Sequence, residues 1–350
     1  MNQQKKNIRN LNLDQLGDYL TERGEKKFRA QQIYQWLWVK GVSEFGEMKN
    51  ISKPLRERLA DEFTIDKVTI VSRQESTDGT IKYALQLSTG QLVEGVLIPT
   101  PKRITACVSS QSGCSLDCKF CATGYLDFMH NLKHYEIYDQ IQLLRQEAEK
   151  IYGRPLTNIV YMGMGEPLLN YRNVLQSIQM ATSEAGLGMS PQRITVSTAG
   201  IAKMIKKLGD DGVKFEFALS LHAANDEKRN QIMSINQSNN LEALIEALQY
   251  FHEKTRTRIT YEYCIFKDFN DSQQDADELA VFTRHVPSKV NIIEYNPVAE
   301  SGFVNTTSRR MQAFIDRLES QGVIVNVRRS RGKDIDGGCG QLALRSVKSF

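Results

Sequence analysis

The sequence predicts an α/β protein: βα units repeated around a parallel sheet or barrel, preceded by a small antiparallel β segment and an N-terminal helical unit. Three observations lead there. From about residue 105, short apolar runs (ITACVSS, NIVYMG, RITVST, FEFALSL, ITYEYCI, VNIIEYNP, VIVNVRR) alternate with longer segments of helical character, the pattern of repeated βα units. Residues 67 to 99 carry alternating β-rich runs, VTIVS, IKYALQL and LVEGVLIP, separated by the turn signals Asp78-Gly79 and Ser88-Thr89-Gly90. Before them, apolar residues recur at helical spacing.

Taken in order, Leu13, Leu16 and Leu20 fall on one helical face, and Phe28, Ile33, Trp36 and Leu37 form a second apolar stripe. A third helix is expected to start near Ser52, with Pro54 in its first turn. The chain then divides into a helical unit over 1–65, a small β segment over 66–100 and a βα core over 101–350. Each core strand leads into an unusual loop: the cysteine loop after ITACVSS, MGEPLLN after NIVYMG, AG after RITVST, HAAND after FEFALSL and VAESG after VNIIEYNP. In a parallel barrel the C-terminal ends of strands share one rim, where such folds place their active sites.

Composition narrows the class. With 41% hydrophobic and 25% charged residues among 350, the chain supports a sizeable core and is not globally disordered. The start, MNQQKKNIRN, has no apolar h-region, and no apolar stretch approaches the ~18 residues that span a bilayer. The expected location is a reducing cytoplasm, where clustered cysteines bind metal or do redox chemistry. Net charge is +4 with a pI near 8.6, which permits a nucleic-acid partner without demanding one. Local basic clusters (Lys5-Lys6, Lys26-Lys27-Arg29, Lys102-Arg103, Arg328-Arg329-Arg331-Lys333) are more suggestive, although each is also compatible with a solvated face.

CSLDCKFC, residues 114 to 121, places three of the six cysteines within eight positions. Cys114, Cys118 and Cys121 can hold three irons of a [4Fe–4S] cluster and leave the fourth iron for another ligand. Zinc is the alternative, with Cys107, His130 or His134 as a fourth ligand. The C-x3-C-x2-C spacing, with Phe120 before the last cysteine, resembles the motif of radical SAM enzymes. ACVSSQSGCSLDCKFCATG, MGMGEPLLN, STAG, SLHA and KDIDGGCGQLA, with the N-terminal EKKFRAQQIYQWLW and the strand VEGVLIP, together resemble the RlmN/Cfr family of adenosine methyltransferases over nearly the whole chain.

That resemblance implies a partial parallel (β/α) barrel and a [4Fe–4S] cluster whose open iron binds S-adenosylmethionine, two molecules of which serve each turnover. Cys339 matches the cysteine that becomes S-methylcysteine. Cys107 matches the cysteine that resolves the RNA–protein adduct and leaves a disulfide with Cys339, and Glu94 matches the proton acceptor. Gly165, Glu166, Ser197, Ser220, Leu221, His222 and Asn296 match cofactor contacts, with His222 acting through its backbone more than its ring. Where the family commonly has two alanines before the methyl-carrying cysteine, this chain has Gly337-Gly338, which suggests a looser hold on Cys339. Cys264 matches nothing and reads as core.

The implied substrates are adenosine 2503 of 23S rRNA and adenosine 37 of tRNA, methylated at adenine C2. The implied partner is a one-electron reductant such as flavodoxin, and the enzyme is expected to be monomeric. Methylation at C8 of the same rRNA adenine shares every motif quoted. A non-catalytic, zinc-bearing RNA-binding protein is the reading from another class.

Overall fold

The computed structural model describes residues 5–345; the first four residues of the polar N-terminal stretch and the last five of the core segment lie outside them. Ten strands form one sheet in strict chain order: β1 (Thr69–Glu75), β2 (Ile81–Gln86), β3 (Leu92–Pro99), β4 (Ile104–Cys107), β5 (Asn158–Tyr161), β6 (Ile194–Thr198), β7 (Glu216–Ser220), β8 (Ile259–Ile265), β9 (Ser288–Glu294) and β10 (Val325–Arg328). Pairing from β4 to β10 is parallel. The three strands before β4 are antiparallel, and β3 pairs with β4, Val96 opposite Cys107. The expected small antiparallel sheet is thus the continuation of the parallel one.

The sheet curls into a partial barrel. Strands β5 and β10 are five places apart, which in a flat sheet is roughly 24 Å. Yet the Arg328 guanidinium, at the end of β10, lies 3.4 Å from the sulfur of Met162, just past β5. Strand β8 shows how the two faces divide. ITYEYCI is buried along its whole length, and side chains alternate between faces. Tyr261 packs edge-on against Phe282 of the helix Gln273–Thr283, and Tyr263 packs tilted against Phe314 of the helix Ser308–Ser320. Glu262 and Cys264 point the other way, into the barrel.

The N-terminal helices α1 (Leu13–Thr21), α2 (Phe28–Gln35) and α3 (Lys53–Glu62) form as the spacing predicts, α3 with Ser52 before it and Pro54 in its first turn. Leu16, Leu20, Ile33 and Leu37 are buried, but Leu13 and Phe28 are exposed at the ends of their stripes. This unit docks on α4 (His134–Tyr152), the helix after the cysteine loop. Arg9 makes a bidentate pair with Asp139 at 2.7 and 2.8 Å, both side chains buried. The Trp38 carbonyl accepts from Tyr138 and Gln142 of α4, each at 3.0 Å. Among the described residues no helix is long and apolar enough to cross a membrane.

Candidate active site

One cavity opens inside the curl of the sheet, and the rim loops line it. Cys107 ends β4, and the loop after it doubles back so tightly that glycine is required at its turns. A Cβ on Gly113, at φ 76°, would sit 2.0 Å from the Asp127 carbonyl oxygen. One on Gly124 would sit 2.9 Å from that of Cys118. This brings Cys114, Cys118 and Cys121 onto the cavity wall. Gln140 of α4 holds the base of the loop by bonding both backbone groups of Ser109 at 2.9 and 3.0 Å.

All six cysteines are free thiols. Burial pushes Cys114 up to about 12 and raises Cys118 and Cys121 as well. Three soft donors in a desolvated pocket stay protonated until a cation takes their charge, so the donor set fits a metal group. Among the described residues no three ligands converge on a single ion. A cluster that takes one thiolate on each of three irons does not require such convergence.

Cys339 reaches the same cavity from the loop after β10. That loop spans the gap between the sheet's two ends. Asp334 accepts from Ser76 and Thr77 in the β1–β2 turn, and Gly332 N–H donates to Asp78 at 3.0 Å. Its far side is tied to the cysteine loop: Ala122 N–H donates to the Gly340 carbonyl and the Thr123 hydroxyl to that of Leu342, both at 2.7 Å. Asn296 Nδ2 donates to the Cys339 carbonyl at 3.0 Å. The thiol of Cys339 is exposed, but to the cavity. The protein around it desolvates the sulfur and raises its pKa, against the pull of Arg328. Burial raises Cys107 to about 12; a charge on Cys339 pushes the same way, and Arg328 opposes both.

Of the Gly337-Gly338 pair, Gly338 is packed too closely for a side chain. A Cβ on Gly338 would lie 2.7 Å from both Asn296 Nδ2 and Gln341 Oε1. Glycine permits that close approach.

Gly165 (φ 93°) has room for no side chain, since its Cβ would meet Gln111 Cβ at 2.4 Å. Beside it, buried Glu166 accepts from Leu168 N–H at 2.9 Å and Ala199 N–H at 2.7 Å, one on each oxygen. Burial raises its pKa against those bonds. Each oxygen keeps a lone pair for a cation such as an ammonium group. Ser197 and Ser220, on neighbouring strands, bring their hydroxyls within 3.3 Å. His222 takes a left-handed backbone (φ 57°). Its ring Nδ1 accepts the Cys264 N–H at 2.9 Å, while burial and then Arg229 push it down to about 3. The ring is therefore a neutral structural acceptor.

Three expected site residues do not line the cavity. Leu221 is in the core, its N–H on the Glu262 carbonyl at 3.0 Å. Asn296 stands behind the Cys339 loop, and its buried Oδ1 has no partner among the described residues, an acceptor left open for a ligand donor. Glu94 is fully buried: Oε2 accepts from Ala343 and Leu344 N–H at 2.9 and 3.1 Å, and Oε1 lies 3.4 Å from Lys82 Nζ. It clamps the segment just after Cys339.

Three residues escaped sequence reasoning. Cys264 is buried in the core as expected but also lines the cavity, as does Glu262 two positions earlier. Their signal was a carboxylate in the middle of an otherwise apolar strand, which demands a buried partner. Arg328, read as part of a basic surface run, is that partner, at 3.5 Å.

Comparison with known proteins gives the same picture. The Radical SAM superfamily profile matches residues 108–280, and the ribosomal RNA large subunit methyltransferase N-terminal domain matches residues 6–65. A relative from Cytophaga hutchinsonii named "Probable dual-specificity RNA methyltransferase RlmN" is 56% identical, covering 98% of this chain and 94% of its own. A Halorhodospira halophila protein named "Dual-specificity RNA methyltransferase RlmN" is 41% identical over 95% of this chain and 92% of its own. The crystal structure of a radical SAM methyltransferase from Sphaerobacter thermophilus superposes with a TM-score of 0.90 at 36% identity, covering 96% of this chain and 99% of that one. Radical SAM proteins work with a [4Fe–4S] cluster and S-adenosylmethionine, and the thiol set and the Glu166 carboxylate fit these groups. The chain belongs to the RlmN family of radical SAM RNA methyltransferases.

Proposed function

We propose that the protein methylates adenine C2 at adenosine 2503 of 23S rRNA and adenosine 37 of tRNA, through S-methylcysteine at Cys339. The observation that carries this reading is the meeting of Cys339, Cys107 and the three-cysteine loop in one cavity, delivered from both ends of the sheet. Dual specificity in the relatives' names supports two RNA substrates. Family membership replaces the alternative of a non-catalytic zinc protein, and the RlmN relatives favour C2 over C8.

Cys114, Cys118 and Cys121 would hold the cluster. Glu166, Ser197, Ser220, the backbone at 221–222 and Asn296 would seat S-adenosylmethionine. When bound, the cluster supplies the electron that cleaves S-adenosylmethionine and so provides the radical that activates the methyl group on Cys339. The chain's own part begins with the Cys339 thiolate, a soft nucleophile, displacing the sulfonium methyl in a polar step. Adenine C2 sits between two ring nitrogens and is too electron-poor to take that methyl directly. Once the carbon radical joins C2, the adduct must give up its odd electron, to the acceptor a bound cluster would supply, and its C2 proton. The Cys107 thiolate then attacks the Cys339 sulfur, the Cys339–carbon bond breaks with its electron pair on the carbon, that carbon takes up a proton to become the methyl group, and a Cys107–Cys339 disulfide remains for the external reductant.

Glu94 is the proposed proton acceptor. Because Oε2 clamps Ala343 and Leu344, freeing the carboxylate and moving the Cys339 segment are one event. The test is product mapping: nucleoside mass spectrometry should find 2-methyladenosine in both RNAs after incubation. 8-Methyladenosine alone would overturn the C2 assignment.

A further inference from the structure

Among the described residues, Arg328 is the single lysine or arginine lining the cavity. A guanidinium carries five N–H donors in a rigid fork, and this one spends few of them. Nη1 approaches Met162 Sδ at 3.4 Å and Glu262 Oε2 at 3.5 Å, and the other two nitrogens have no partner among the described residues. The arm is nevertheless fixed. Glu262 is itself buried and anchored by Asn291 Nδ2 at 2.8 Å. Met162, which touches the guanidinium, lines the cavity together with Cys107 and Cys339. A cation with idle donors thus lines the same cavity as the two sulfurs between which the base must react.

We propose that Arg328 donates a hydrogen bond to a ring nitrogen, N1 or N3, of the target adenine. The inference rests on the reading that Cys339 carries the methyl, because that places adenine C2 one carbon from the Cys339 sulfur. Both neighbours of C2 are acceptor nitrogens, so a donor beside that sulfur meets one of them. A charged donor there withdraws electron density from C2 and stabilises the density that moves onto nitrogen as a carbon radical adds. Donors aimed at developing charge in a water-poor site typically contribute about 100-fold or more in rate. Glu262 keeps the guanidinium from swinging onto either cysteine sulfur. Arg328 is then a catalytic residue, and Glu262 with Asn291 are positioning residues.

The test pairs Arg328→Met with target RNAs carrying adenosine, 1-deazaadenosine or 3-deazaadenosine at the reacting position. The variant should keep the cluster absorption band and RNA affinity to within about threefold, and it is assayed with Cys339 already methylated, since Arg328 also favours the Cys339 thiolate. Its rate of carbon–carbon bond formation on adenosine should fall about 100-fold. Wild type should lose a similar factor on one deaza analogue, and on that analogue the variant should lose nothing further. Arg328→Lys, which keeps a charged donor, should recover part of the rate. Losses that multiply on both analogues would overturn the proposal, since a merely structural arginine behaves so. Weaker RNA binding with a flatter salt dependence would assign Arg328 to a phosphate and overturn it equally. An active wild-type enzyme with unmethylated Cys339 would overturn the underlying reading and this proposal together; multiplying losses overturn this proposal alone.

Discussion

Replacing Arg9 with methionine should undock the N-terminal unit from the barrel. The Arg9 guanidinium holds Asp139 of α4 through two bonds, reaches the Asp66 carbonyl at 3.1 Å and lies over the Trp38 ring at 4.6 Å. With side-chain exposures of 0% and 3%, neither charge can turn to water. Breaking such a buried pair from one side costs about 3–5 kcal/mol, because a carboxylate is left desolvated. Asp139 would keep Lys67 at 3.3 Å and the Val68 N–H at 3.2 Å, which places the expected loss near the lower end, about 3 kcal/mol. Urea unfolding followed by circular dichroism reads the loss directly. Arg9→Met with Asp139→Asn removes the stranded charge and should recover at least half of it. Cluster absorption should be unchanged in both, since this pair does not touch the cavity. A loss under about 1 kcal/mol, or a double variant as unstable as the sum of the two singles, would refute the argument.

Cys118→Ala should remove the cluster absorption band and, with it, Cys339 methylation; an intact band would overturn the ligand assignment. Gly338→Ala should force the Cys339 loop off Asn296 and slow Cys339 methylation by up to about 100-fold, as a misplacement of an ångström can; an unchanged rate would show that the loop accommodates a Cβ. His134 and His222 are held down to about 4 and about 3, mainly by burial, so the unfolded chain takes up protons first as acid is added. Their contribution is complete above the ordinary value of 6.5 and is lost as pH falls toward 4; His134→Phe should flatten that slope, and an identical pH profile would contradict the assignment. Lys26 and Lys27 are exposed, and replacing both with glutamine should weaken RNA binding and reduce its salt slope by about 0.7 to 0.9 for each phosphate no longer neutralised. An unchanged slope would make them ordinary solvated surface.

Local features were legible because local chemistry fixes them. The C-x3-C-x2-C loop and the strand–helix alternation need only neighbours in sequence, and Ser52-x-Pro54 marks a helix start by itself. Cys107 and Cys339 were legible only through resemblance, since 232 positions separate them and nothing in either local pattern names the other. The curl that sets Arg328 against Met162 is a long-range consequence of burial. Arg328 hid in a basic run whose neighbours do face charged partners: Arg331 lies 3.9 Å from the Asp78 carboxylate and Lys333 pairs with Glu294. Leu13 and Phe28 show the opposite error, where an apolar stripe extends past the face that packing covers.

The central claim is that Cys339 carries the carbon and Cys107 releases it, and a single variant tests it. Cys107→Ala, supplied with S-adenosylmethionine, reductant and RNA, should methylate Cys339, join its carbon to adenine and stop there. RNA should remain bound to protein through a methylene bridge, seen as a shifted band that survives denaturation and maps to Cys339. Cys339→Ala should give no band, and the double variant should match it, because the two residues act in sequence. A Cys107→Ala enzyme that turns over normally, or that holds methylated Cys339 without any trapped RNA, would contradict the account.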